Sequence, residues 1–294
     1  EDRYYWDAPD GTSNLLPHIA DENALYFPGD VVHYYMSSTD NFANTSTLPA
    51  DITGFGDFTE GNLYNRVYAL HMLPALVDGV QPNILLWNDN GHRFRENEYQ
   101  QAFRQNGLIE GSDYDTYTTK GPSSGVGNGL GSAGYHGANA AQLAGYDCLI
   151  YVCGDLKSYV ISDGSNTGDN DLSPDLATLT DWANAPADRY HAYFGDHIAE
   201  AMVSHGTATG TYMTGVMGVN FLGPDVRPEI DFQVAATVAP TGLSGSYVTD
   251  YVAYGGCLVI NDFDWIEPLD PAVQQSAHEF LDPDGNGYVG PQIS

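Results

Sequence analysis

Short, continuous apolar runs that end in polar turns mark the middle of the chain. Residues 83–87 and 148–152 are two such runs. Runs of this kind are typical of strands buried on both faces, as in a parallel sheet. Between them, residues 96–106 place Tyr99 and Phe103 on one face of a predicted helix. The pattern therefore predicts a strand–helix–strand unit on which a doubly wound α/β sheet can be built.

The pattern continues on both sides of this unit. Further strands are predicted at residues 114–118 and 190–194, and further helices at 138–143, 174–184, 196–204 and 209–217. The flanks are predicted as a strand at 30–38, a loop at 44–60, a strand or short helix at 65–73, β-structure from 219 onward and a last helix at 274–281. We therefore predict an N-terminal β-rich segment at residues 1–80. Residues 81–294 are predicted to form an α/β domain with a β-rich C-terminal part.

Charge changes the picture more than any other property of the composition. The chain carries 9 Lys and Arg residues against 39 Asp and Glu residues, a formal charge of −30. Such a surface repels nucleic acid and anionic membranes and attracts cations. No stretch approaches the roughly 20 apolar residues that span a bilayer. Few lysines, with 21 Tyr and 33 Gly residues, favour an extracellular or cell-surface protein.

The most specific chemical pattern is an oxygen-rich loop near the C-terminus, which resembles the start of an EF-hand calcium loop. Gly287 occupies the sixth position, where the sharp turn needs glycine, whereas Ile293 stands where the bidentate Glu is expected. Carboxylates from elsewhere would have to complete the site. The predicted Ca2+ ligands are Asp282, Asp284, Asn286 and the carbonyl oxygen of Tyr288.

A second oxygen-rich loop, at residues 163–171, is less regular. Its predicted Ca2+ ligands are Asp163, Asp169 and Asp171. In both loops the alternative is an ordinary turn built from Asp, Asn and Gly.

The three cysteines leave two alternatives open. Cys148 and Cys153 are predicted to point to opposite faces of one strand, so they do not pair with each other. Cys257 either pairs with one of them or all three are free thiols.

No catalytic set is evident. Cys153 at a strand end, with a histidine as base, is an alternative, but no helix start follows it to activate the thiol. The candidate bases are His136, His191, His197 and His205. The last three match no metal-binding spacing on one helix face and are interpreted as scattered polar residues.

Residues 121–130 (GPSSGVGNGL) and 151–156 (YVCGDL) resemble an uncharacterised module of large secreted bacterial proteins, where it often lies beside peptidase or β-sandwich domains. Residues 28–35 (PGDVVHYY) resemble the β-segment that precedes that module. The resemblance spans about residues 28–283 and implies a flavodoxin-like, mostly parallel sheet. Its layout is similar to class I glutamine amidotransferase and caspase-like folds. Their catalytic Cys and His patterns do not map onto this chain.

These observations favour an extracellular structural protein that assembles with copies of itself into a filament, tube or surface layer stabilised by Ca2+. The aromatic opening, Tyr4, Tyr5 and Trp6, is predicted to be a contact strand. One alternative is a cysteine hydrolase or amidotransferase-like enzyme that uses Cys153. Another is a monomeric glycan- or surface-binding module.

Overall fold

A computed structural model describes the protein at residues 29, 31–53, 55, 68–77, 79–89, 96–119, 129–131, 137–225, 236–240, 249–251, 264–272, 274, 278–280 and 292–293. The strands are β1 Val31–Tyr34, β2 Met36–Thr39, β3 Thr45–Leu48, β4 Tyr68–His71, β5 Ile84–Asn88, β6 Tyr114–Thr118, β7 Cys148–Gly154, β8 Tyr190–Gly195, β9 Val219–Gly223, β10 Ala236–Pro240, β11 Thr249–Tyr251, β12 Trp265–Pro268, β13 His278–Phe280 and β14 Gln292–Ile293. The helices are α1 Glu96–Gln105, α2 Ala140–Leu143, α3 Asp175–Ala183, α4 Ile198–His205 and α5 Thr207–Tyr212, which continues as a π-helix over Met213–Met217. No helix in these ranges is long and apolar enough to cross a membrane.

The centre of the fold is a four-stranded parallel sheet in the order β6-β5-β7-β8. This confirms the predicted α/β class. Ile84 stands opposite Tyr114 on one neighbouring strand and Cys148 on the other. Strands β5 and β7 lie in the interior of the sheet, which explains why their sequences read as unbroken apolar runs.

Side chains from helices pack against both faces of this sheet. On one face, Leu86, Tyr114 and Val152 pack with Tyr99 and Phe103 of α1. The larger core lies on the other face. It joins the strand residues Leu85, Trp87, Leu149, Tyr151 and Cys153 to Leu143, Leu179, Trp182, Met202 and Tyr212 from α2, α3, α4 and α5. Cys148 and Cys153 are both free thiols. Cys257 lies outside the described residues.

A row of aromatic rings crosses the sheet on the side of the larger core, with one ring from each strand. Tyr117, Trp87, Tyr151 and Tyr193 follow one another in register. Their neighbouring centroids are 6.2, 4.7 and 6.0 Å apart. Rings at these spacings add to the stabilisation that burial alone provides.

A buried polar network closes the carboxyl edge of the sheet. Asp89, which directly follows β5, accepts hydrogen bonds from Thr119 Oγ1 at 2.6 Å and Tyr151 Oη at 2.8 Å. Thr119 Oγ1 in turn accepts from Trp87 Nε1 at 2.8 Å. Strands β5, β6 and β7 are thereby joined at the edge where ligands bind in open α/β sheets.

Strands outside this sheet pair antiparallel, and three predictions change there. The single strand predicted at 30–38 is replaced by two strands, β1 and β2, because β1 pairs with β4 while β2 pairs with β3. The predicted loop at 44–60 contains β3. The predicted helix at 274–281 is wrong at residues 278–280, where β13 pairs with β10 and β14. Backbone pairing with distant strands outweighs local helical pattern in that segment.

Strand β12 brings the C-terminal part of the chain onto the larger core. It pairs with β9, and Phe221 and Ile266 of this pair pack against the core cluster. Asp264, immediately before β12, donates its backbone N–H to the carbonyl oxygen of Asp196 at 2.7 Å. Asp196 directly follows β8, so this contact places Asp264 at the carboxyl edge of the parallel sheet.

Candidate metal centre

A histidine lies where the last strand of the parallel sheet passes into a helix. Strand β8 ends at Gly195, His197 occupies the N-cap position of α4, and its side chain makes no capping hydrogen bond. The residue is only 3% exposed. A buried imidazole at the carboxyl edge of an open α/β sheet lies where such folds place ligands.

Two carboxylates converge on this imidazole. Ligand atoms of His197, Glu200 and Asp264 lie within 4.8 Å of one another. We call these three residues the His197 centre. The distance from His197 Nδ1 to Glu200 Oε2 is 3.3 Å. His197 and Glu200 share one face at the start of α4 because they are three residues apart, whereas Asp264 comes from a distant part of the chain.

The backbone of α4 fixes the orientation of Asp264. Its Oδ2 atom accepts hydrogen bonds from the N–H groups of Ala199 at 2.6 Å and Glu200 at 3.1 Å. These are two of the N–H groups that a helix leaves unpaired at its start. Asp264 therefore caps α4 in place of a local residue, and its second oxygen, Oδ1, is buried without a hydrogen-bond partner.

One polar atom of each member lacks a hydrogen-bond partner. Among the residues that the structure describes, no hydrogen-bond partner is found for His197 Nδ1, Glu200 Oε2 or Asp264 Oδ1. His197 Nδ1 and Glu200 Oε2 are close enough for an ion pair, but their alignment is not that of a hydrogen bond. Buried polar atoms are nearly always satisfied, so one unsatisfied atom in each of three neighbouring side chains indicates a ligand.

The electrostatics of the centre also favour a cation. Burial raises the pKa of Asp264 to about 7, although the N–H groups of Glu200 and Ala199 lower it. The charge of Glu200 raises it further, and Lys157 lowers it. Lys157 Nζ lies 4.0 Å from Glu200 Oε2, and the lysine side chain is half exposed. A cation at the centre would supply the positive charge that buried carboxylates need to stay ionised.

The predicted ligands of the 163–171 loop do not belong to this centre. Asp163 and Asp169 are exposed, while Asp171 is buried. Asp163 Oδ1 accepts from the N–H of Ser165 at 2.9 Å, and Asp171 Oδ1 accepts from the N–H of Ser173 at 2.7 Å. These bonds shape local turns. A Ca2+ site in this loop stays a prediction.

The remaining predicted site residues lie outside the described ranges. They are the C-terminal loop residues Asp282, Asp284, Asn286 and Tyr288 and the opening residues Tyr4, Tyr5 and Trp6. Their assigned roles stay predictions.

Cys153 is poorly placed to act as a nucleophile. Its side chain is fully buried, and burial raises the pKa of the thiol well above its ordinary value. The nearby charges of Asp89, Asp196 and Asp264 raise it further. A Cβ atom added at Gly195 would overlap Cys153 Sγ, so the thiol faces packed backbone. Its geometry gives no support to the cysteine-enzyme alternative.

Sequence reasoning missed the His197 centre because it compared histidines only with one another. His205 lies at the other end of α4 and His191 in β8, so neither joins His197. The readable signal was His197 and Glu200, three residues apart at the carboxyl end of a predicted strand. Asp264, which is 64 residues beyond Glu200, gave no local signal.

Comparisons of the chain with protein-family models, curated proteins and solved structures found no match.

Proposed function

We propose that this chain is a divalent-cation-binding structural protein of the cell exterior that assembles with copies of itself. The observation that carries the proposal is the His197 centre, where ligand atoms of His197, Glu200 and Asp264 lie within 4.8 Å of one another and one buried atom of each residue has no hydrogen-bond partner. His197 and Glu200 lie at the start of α4, directly after the parallel sheet, whereas Asp264 lies directly before β12 of the β9–β12 pair. An ion bound there would join these two parts of the fold.

A structural role suits the position of the centre better than a catalytic one. His197 is only 3% exposed and lies at the start of a helix, where substrate has little access to it. An ion that binds only the folded chain stabilises it in proportion to ion concentration and affinity. A chain of formal charge −30 also gains from each cation it binds, because self-repulsion falls.

The β2–β3 hairpin supports the assembly part of the proposal. Every residue of β2 is exposed, as are all but one residue of β3. The hairpin also exposes apolar side chains, with Met36 at 51%, Phe42 at 86% and Leu48 at 53%. In the part of the chain that the structure describes, this hairpin pairs with no third strand. An isolated two-stranded ribbon is marginal in water, and a strand with an open edge can pair with another chain. Tyr4, Tyr5 and Trp6 are proposed as further contacts.

The finer fold and cofactor assignments belong to the same proposal. The order β6-β5-β7-β8 follows the first four strands of the flavodoxin-like order, which supports a doubly wound sheet of that type. We assign Ca2+ to the oxygen-rich loops at 163–171 and 282–288. The composition supports secretion, because lysines are few and acidic residues abundant.

The test is thermal unfolding of the metal-free full chain with Ca2+, Mg2+, Mn2+ and Zn2+ in turn. At an ion concentration of about 100 Kd, binding stabilises the fold by about 2.7 kcal/mol. For a chain of 294 residues this raises the midpoint by about 4 °C. Glu200→Gln should abolish the shift for the ion bound at the centre. The matched control is Glu267→Gln in β12, because Glu267 is exposed and lies outside the centre.

Failure of all four ions to move the midpoint would refute the proposal that the chain binds a divalent cation. Assembly is tested separately by negative-stain microscopy with divalent ions and after chelation. Ordered polymers that dissolve on chelation are expected. Monomers under both conditions would refute assembly and leave cation binding standing.

A further inference from the structure

We infer that the His197 centre selects a transition-metal ion of the Zn2+ class over Ca2+ and Mg2+. This rests on the proposed function, because it specifies the ion of the same centre. The Ca2+ assigned above to the oxygen-rich loops is a separate matter, since those loops offer oxygen ligands only.

The donor set is the first ground. The centre offers one imidazole nitrogen and two carboxylates. Ca2+ and Mg2+ are bound by oxygen ligands, and Ca2+ collects six to eight of them. Imidazole suits Zn2+ and its neighbours, which also accept carboxylate oxygens. A buried imidazole contributes nothing to a calcium site, whereas it is a standard ligand of zinc.

The distances are the second ground. Two ligands held at about 2.0–2.1 Å from a tetrahedral ion lie about 3.3 Å apart. His197 Nδ1 and Glu200 Oε2 are 3.3 Å apart in the structure. The two members nearest in sequence therefore already have the spacing of a tetrahedral edge. Asp264 brings a carboxylate oxygen within 4.8 Å of both, so the three side chains can offer ligand atoms to one ion.

The support behind the ligands is the third ground. Ligating carboxylates in metal sites are themselves hydrogen-bonded, which fixes their orientation. Asp264 meets this condition, because Oδ2 is held by two backbone N–H groups while Oδ1 remains for the ion. The helix start that holds Asp264 also supplies His197 and Glu200. The three ligands are thus fixed relative to one another by one rigid element.

The experiment titrates the metal-free full chain with Co2+, whose visible absorption reports both binding and coordination geometry. We expect the intense bands of a four- or five-coordinate site, displaced by stoichiometric Zn2+ but not by a thousandfold excess of Ca2+. Asp264→Asn and Glu200→Gln should each weaken Co2+ binding at least about 100-fold. Glu267→Gln should leave it unchanged. Circular dichroism of each variant, compared with the wild type, checks that it is folded.

The outcomes separate the two proposals. Displacement of Co2+ by Ca2+ at comparable concentration would overturn the inference and leave a cation-binding centre in place. Pale octahedral spectra that neither Glu200→Gln nor Asp264→Asn alters would also overturn it, since the ion would then lie elsewhere. If neither Co2+, Zn2+ nor Ca2+ binds the folded chain, the proposed function falls together with the inference.

Discussion

The Asp264→Asn variant should be more stable than the wild type at neutral pH when no cation is bound, and less stable than the wild type when one is bound. The change preserves shape, and the Asn carbonyl can still accept from the N–H groups of Ala199 and Glu200. The change removes the negative charge of the carboxylate, and the buried surroundings of Asp264 destabilise that charge. Burial raises the pKa of Asp264 most, and the charge of Glu200 raises it further. The backbone N–H groups of Glu200 and Ala199 and the charge of Lys157 lower it.

The magnitude follows from the size of this shift. Burial raises the pKa of Asp264 from 3.8 to about 7, and each unit corresponds to about 1.4 kcal/mol. Because the folded protein holds this proton more tightly, the stabilisation is complete below pH 4 and is lost as pH rises toward 7. In the metal-free wild type, this single carboxyl should therefore reduce stability by about 4 kcal/mol between pH 4 and pH 8.

Urea unfolding of both proteins in metal-free buffer, from pH 4.5 to 7.5, measures the difference directly. The general effect of a charge of −30 is nearly common to both and cancels in the comparison. At pH 7.5 the Asn variant should be the more stable protein. Saturating Zn2+ should reverse that order, because only the wild type retains all three ligands. Parallel pH curves for the two proteins would refute the reasoning about Asp264.

Three further predictions concern the rest of the molecule. Trp87→Phe should lower the free energy of unfolding by about 2–4 kcal/mol, because it leaves a cavity and breaks the hydrogen bond to Thr119. Leu48→Ala, at an exposed site, should change the free energy of unfolding by less than about 0.5 kcal/mol. Equal effects of the two substitutions in urea unfolding would contradict the assigned core. Iodoacetamide at pH 8 should leave Cys153 unlabelled in the native protein and label it after unfolding, as read by peptide mass spectrometry; rapid native labelling would restore the cysteine-enzyme alternative. Raising KCl from 0.1 to 1 M shortens the Debye length from about 10 to about 3 Å, so the urea midpoint should rise; an unchanged midpoint would mean that repulsion among the acidic residues does not limit stability.

The parallel sheet could be predicted because strands that are buried on both faces have continuous apolar sequences. Strand β5 was expected at 83–87 and lies at Ile84–Asn88, and β6 lies at Tyr114–Thr118 as expected. Interior strands need apolar residues on both faces, so their runs are continuous and their ends abrupt. Helix α2 begins with Asn139 and Gln142 in a reciprocal capping box, which is also readable locally.

The parts that escaped prediction depend on partners far away in sequence. Strand β3 has the sequence Thr-Ser-Thr-Leu, with polar residues on both faces, so its pattern is that of a loop. Strand β13 is a strand because β10 and β14 lie beside it. The His197 centre likewise needs Asp264, whose position is set by the pairing of β12 with β9. The sequence close to each of these residues gives no sign of a partner that lies far away along the chain.

The capping of α4 by Asp264 sets an order of events during synthesis. The four parallel strands are all present once Gly195 has been made, but the helix that follows lacks its cap until Asp264 emerges. At about 5–20 residues per second, roughly 70 further residues take about 4–14 seconds to add. During this time α4 has no cap and the centre lacks one of its three members. The metal centre therefore cannot be complete in any chain whose synthesis stops before residue 264, and an ion bound there reports on chains that have passed that point.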